Sequence, residues 1–128
     1  MEHLISLLFL ARDLAHREHL RTKSFAQHMA LNTFYNEIVE NADAIAEAYQ
    51  GQYGLMSNIE ILGFKSSRQS IITELQTQVK WIKDNRYKIC DKDDTPIQNL
   101  IDTAVETYLS TLYKLDRNTS CMIRILNR

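Results

Sequence analysis

Apolar residues return at every third or fourth position along four long stretches of this chain, and the residues able to turn a sheet are nearly absent between them. Its 128 residues include only 3 Gly and 1 Pro. Strand-rich folds need those residues at many bends, so the spacing predicts long helices instead. Leu4, Leu7, Leu8, Ala11, Leu14 and Ala15 define a first helix running to about Leu20. Arg21 to Lys23 form a joint, and Ser24 with Gln27 has the spacing of a capping box that starts a second helix. That helix carries Leu31, Phe34, Tyr35, Ile38, Ala42 and Ile45 on one face and runs to about Tyr49, before Gly51 and Gly54.

Residues 50–65 are apolar without a clear period and read as a crossover containing a short helix. Ser66 and Gln69 would cap a third helix with Ile72, Leu75, Val79 and Ile82 on one face, fading near Ile89. After the polar turn Asp91 to Asp94, Thr95, Pro96 and Gln98 give another capping box with proline at the first helical position. A fourth helix buries Ile97, Leu100, Ile101, Ala104, Tyr108, Leu112 and Leu115, and its pattern ends at Asp116 to Asn118. The sequence therefore predicts an all-α four-helix domain over residues 1–118, with a long connection between helices two and three and a tail over 119–128.

The net charge of −1 leaves no cationic field for nucleic acid or anionic lipid, although the acidic excess lies in the first half. Cys90 and Cys121 are too few for a disulfide scaffold and lie in no zinc-like cluster. The apolar run from Leu4 to Ala11 is too short to span a bilayer and lacks a basic leader, so a cytoplasmic protein without membrane contact is expected. No Walker loop, nucleophile elbow or dinucleotide-binding glycine motif is present.

Residues able to bind metal concentrate in helices one and two: His16, His19, His28, Asp43 and Glu47. The hairpin brings His16 and His28 to one end. Asp43 lies fifteen residues of helix beyond His28, roughly 22 Å away, so one chain holds two half-sites. An antiparallel twofold dimer would place the histidines of each chain beside the carboxylates of its partner. Two imidazoles and two carboxylates suit Fe(II), with Zn(II) or Mn(II) as alternatives.

The intervals themselves carry a resemblance. His16 and His28 are twelve apart, Asp43 follows fifteen later, and Glu47 four after that. With the flanking Ser24-Phe25 and Asp43-Ala44-Ile45-Ala46-Glu47, residues 10–50 closely resemble the Dps family of miniferritins, and residues 66–115 resemble it loosely. The resemblance implies a ferritin-like bundle in which His16 and His28 bind iron from one subunit and Asp43 and Glu47 from its mate. It also implies Fe(II) oxidation by peroxide or oxygen at that ferroxidase site, storage of the product, protection from oxidative stress, and assembly as a dimer or a dodecamer. The Lys-rich leader that many members use to hold DNA is missing, so DNA binding is not expected.

Three weaker features read as ordinary surface. His19 is a possible additional ligand, but a surface or hydrogen-bonded histidine is the simpler reading. Asp102 with Glu106, and Lys80, Lys83, Arg86 and Lys88 around Trp81, read as solvated helix faces. The competing functional expectation is a non-enzymatic helical interaction or structural protein of the same fold, with its site empty or holding structural metal.

Overall fold

The computed structural model describes residues 1–63 and 70–126, with residues 117–126 as backbone alone. It contains four helices: α1 (Glu2–Arg21), α2 (Phe25–Tyr53), α3 (Ile71–Ile89) and α4 (Thr95–Leu126). The described residues contain no strand. α1 packs on α2 and α3, and α4 packs on α2 and α3, leaving α1/α4 and α2/α3 on the diagonals of a square bundle.

Cross-bundle bonds fix the directions. Tyr53 at the end of α2 donates to Asp94 just before α4, and Thr107 on α4 donates to Asn41 on α2 at 2.8 Å. These two helices are therefore antiparallel. Tyr108 on α4 donates to Gln78 on α3 at 2.8 Å, which makes α3 antiparallel to α4 across their short joint. α3 consequently starts at the end opposite to where α2 stops. The connection between them must travel the length of the bundle, which is the arrangement of ferritin-like four-helix folds. Leu4, Ile5, Leu8, Phe34, Ile38, Ile45, Leu75, Ile82, Ile101 and Tyr108 fill the centre with essentially no exposure. Burial of this apolar set is the main drive for the fold.

Local chemistry explains the helix ends. Ser24 Oγ accepts from Gln27 N at 3.2 Å as expected. The reciprocal half of the box runs through Thr22, whose hydroxyl donates to Gln27 Oε1 at 2.8 Å and accepts from Ser24 N at 3.2 Å. α2 continues through Gly51 to Tyr53 and stops at Gly54, whose φ of 90° and ψ of 176° suit glycine alone.

Several boundaries differ from the sequence reading. Residues 54–63 contain no helix, so the short crossover helix is absent among the described residues. Ser66 and Gln69 lie outside the described residues, and the described α3 is capped by Ser70, which accepts from Thr73 N at 3.2 Å. The cap of α4 is Asp94, whose carboxylate takes the backbone N–H of Ile97, and not Thr95. Gln98 turns inward to the carbonyls at the end of α3 instead of back to its own cap. α4 extends to Leu126, so residues 119–126 continue the helix and are not a separate tail.

Candidate metal centre

The hairpin tip holds a row of aromatic rings. His19 and His28 stack with centroids 3.7 Å apart and planes 24° apart. His16 lies 6.0 Å from His19 and stacks on Tyr35 at 4.4 Å, while Tyr35 meets His19 edge-on at 5.3 Å. Phe25 extends the row on the other side of His28, at 6.3 Å. His19, three residues after His16 on the same helix face, is thus the ring nearest to His28.

The end of α1 explains this pairing. The last carbonyls of a helix have no partner within it. Thr22 N takes the carbonyl of Glu18, and His28 Nδ1 takes the next one, donating to His19 O at 2.9 Å. His19 Nδ1 donates in return to His28 O at 2.8 Å. A carbonyl oxygen can only accept, so each Nδ1 carries a proton. In the neutral ring Nε2 then keeps its lone pair, the form in which a histidine binds metal while a carbonyl orients it.

His19 is buried, His28 half-buried and His16 exposed. Arg17, next to His16, lies 3.4 Å from Glu18 Oε1 in a half-exposed ion pair. The neighbouring cation is therefore partly neutralised.

Asp43 and Glu47 are exposed, and neither has an ion pair or hydrogen bond among the described residues. They stay remote from the histidines of their own chain because both sets sit on α2. His28, Asn32, Tyr35, Val39, Asp43 and Glu47 follow one another at intervals of three or four residues, which puts them on one stripe of α2. All are half-buried or exposed, and the stripe flanks the core face of Leu31, Phe34, Ile38 and Ile45. Tyr35, whose hydroxyl donates to Asn32 Oδ1 at 2.7 Å, is half-buried: it packs against the core, as its spacing predicts, and its ring also borders this stripe. Among the described residues of the single chain, no three His, Cys, Asp or Glu side chains are grouped to hold a metal ion.

Residues 19–115 match DUF5856, described as a family of unknown function. The chain belongs to DUF5856. The DUF5856 match opens on His19 and contains His28, Tyr35, Asp43 and Glu47, while His16 precedes it. In searches of curated proteins and of solved structures nothing matches this chain.

A second polar cluster joins the other end of the bundle. Tyr53 donates to Asp94, and Cys90 Sγ approaches the same oxygen at 3.3 Å. The Tyr53 hydrogen bond holds the Asp94 carboxyl below its ordinary value of 3.8, with desolvation acting against it. Burial, followed by Asp94, pushes the Cys90 thiol up. Such a thiol is not an activated nucleophile. The cluster caps α4 and ties it to α2. No described helix is long and apolar enough to cross a membrane.

Proposed function

We propose that this DUF5856 protein is a Dps-like iron-binding protein that holds Fe(II) between two copies of the chain and oxidises it there. The observation that carries the reading is the stripe on α2: at one end is a histidine anchored at Nδ1 by a carbonyl, and at the other are two exposed carboxylates with no ion pair or hydrogen bond among the described residues. Pairing α2 with α2 of a second copy, antiparallel about a point near Asn36, would bring each histidine end to the partner's carboxylate end. His28 and His16 would supply nitrogen, and Asp43 and Glu47 of the other copy oxygen, a mixed set suited to Fe(II), Zn(II) or Mn(II).

Charge and apolar surface support the pairing. α2 contains no Lys or Arg and carries Glu37, Glu40, Asp43 and Glu47, whereas the hairpin tip carries Arg17, Arg21 and Lys23 against the single carboxylate of Glu18, which pairs with both arginines. Antiparallel pairing sets the cationic tip of one copy against the acidic half of the other. Exposed Leu20, Phe25 and Met29 surround the histidines at that tip, and a partner would cover them. Iron is here the substrate: dioxygen or hydrogen peroxide from solution would accept one electron from each Fe(II), take up protons and leave in reduced form, while the residues hold the metal.

Fe(II) added aerobically should be consumed faster than in buffer, and the double variant His28→Ala, Asp43→Ala should remove the gain. Equal rates for the two proteins would sink the ferroxidase reading. The mutually bonded pair of buried His19 and half-buried His28 favours one rival, in which the histidines only clamp the hairpin of a non-enzymatic interaction protein. That rival predicts loss of stability without loss of metal binding in the His28 variant.

A further inference from the structure

The geometry points to His19 as the positioning residue of this site: it holds His28 in the form protonated at Nδ1, with Nε2 left as the donor atom. This role rests on the metal reading above only for its use, because the tautomer itself is a property of the metal-free chain.

Three observations converge on it. His28 Nδ1 lies 2.9 Å from the carbonyl of His19, an oxygen left without a helical partner where α1 ends. A half-turn of the His28 ring would put a carbon against that oxygen and lose the bond. The ring of His19, only 8% exposed, stacks on the ring of His28 with centroids 3.7 Å apart. His19 is itself fixed, by its Nδ1 bond to His28 O at 2.8 Å and by the edge of Tyr35 at 5.3 Å. Each ring therefore anchors on the other residue's backbone, and neither can rotate without breaking a bond.

His16 is the contrast. It is exposed, it stacks on Tyr35, and its nitrogens make no hydrogen bond among the described residues. The two nitrogen donors of one half-site are thus unequal: His28 is set before a ligand arrives, and His16 is oriented by it. Carbonyl-anchored histidines of this kind gain both geometry and basicity as ligands.

Nitrogen-detected NMR of the ring resonances tests this in the metal-free full-length chain at mildly alkaline pH. His28 should be protonated at Nδ1 alone. The His19 carbonyl is main chain and remains in every variant; His19→Ala, and His19→Leu where Ala costs the fold, remove the Nδ1 bond to His28 O that holds this carbonyl against the His28 ring, and should give the averaged signal of two exchanging tautomers. His19→Asn puts an amide nitrogen where His19 Nδ1 stands and should restore the single form. Zn(II) titration against a chelating dye should show about 10- to 100-fold weaker binding for His19→Ala or Leu, with Asn returning to near the wild-type value. A wild-type His28 protonated at Nε2, or a His28 signal unchanged in the Ala and Leu variants, overturns the positioning role. If the tautomer shifts as stated but His28→Ala leaves Zn(II) affinity unchanged, the positioning role stands and the metal reading falls.

Discussion

Arg86 and Gln98 hold each other across the joint between α3 and α4. Arg86 Nε donates to Gln98 Oε1 at 2.9 Å and Arg86 Nη2 to the Gln98 carbonyl at 3.0 Å. The Gln98 amide nitrogen donates to the carbonyls of Cys90 at 2.9 Å and Arg86 at 3.2 Å. One buried glutamine thereby satisfies the end of α3 and a guanidinium together. Gln98→Ala keeps the main-chain bond to Arg86 Nη2 but takes the partner from Arg86 Nε and from the Cys90 carbonyl, and should cost about 1–3 kcal/mol in urea unfolding. Asp102, which also meets Arg86 Nη2 at 2.6 Å, is 59% exposed, so Asp102→Asn should cost no more than about 1 kcal/mol. Equal losses in the two variants would refute the ranking.

Gly51 and Gly54 should respond in opposite directions to alanine. Gly51 lies inside α2, and a Cβ there would meet nothing within 4 Å. Gly51→Ala should therefore stabilise by about 0.5–1 kcal/mol through helix propensity and a less flexible unfolded chain. Gly54 has φ 90° and ψ 176°, where a Cβ is strained whatever the space around it. Gly54→Ala should destabilise by about 1–3 kcal/mol. Thermal melts of the two single variants check the sign of each.

Acid should loosen the end of the bundle where α2 meets α4. Asp94 is held below its ordinary value of 3.8 chiefly by the Tyr53 hydroxyl. A lowered carboxyl contributes stability that is present above pH 3.8 and is lost as pH falls through the still lower folded value. Tyr53→Phe removes the largest cause, so its melting temperature should fall less steeply with acid than that of wild type. On the alkaline side burial pushes the Tyr108 phenol far above 10.0. Its contribution is complete below pH 10.0 and is lost above it, so Tyr108→Phe should show a shallower alkaline limb from a lower plateau. Parallel acid limbs for wild type and Tyr53→Phe would remove Asp94 from the explanation.

The core was legible because periodicity alone places it: of the seven residues assigned to the buried face of the fourth helix, Leu100 and Leu112 are only partly covered and the rest are buried. Caps were less legible, since several side chains near a helix start compete for the same backbone groups. Asp94 took the cap assigned to Thr95, and Gln98 answered the buried carbonyls of α3. Arg86 read as a surface cation because nothing local reveals that α4 covers it. The histidines illustrate the same limit. Intervals of twelve, fifteen and four express which faces residues share, whereas the closeness of His19 to His28 depends on where α1 ends and which carbonyl is left over there. Sequence spacing does not encode that leftover oxygen.

The proposed pairing of chains makes a prediction that no single-chain site can satisfy. One variant, His16→Ala with His28→Ala, keeps only its carboxylates; a second, Asp43→Ala with Glu47→Ala, keeps only its histidines. Each alone should bind no Fe(II) or Zn(II) at the site. After mixing and subunit exchange, every mixed dimer contains one complete site, from the histidines of one chain and the carboxylates of the other, and one site with no ligands. Random exchange makes half of the dimers mixed, so binding should return to about a quarter of the wild-type stoichiometry. Calorimetric titration of the mixture against the two separate proteins provides the measurement. A mixture that binds no more than its components would exclude a site shared between copies, while full binding by either variant alone would place the metal elsewhere.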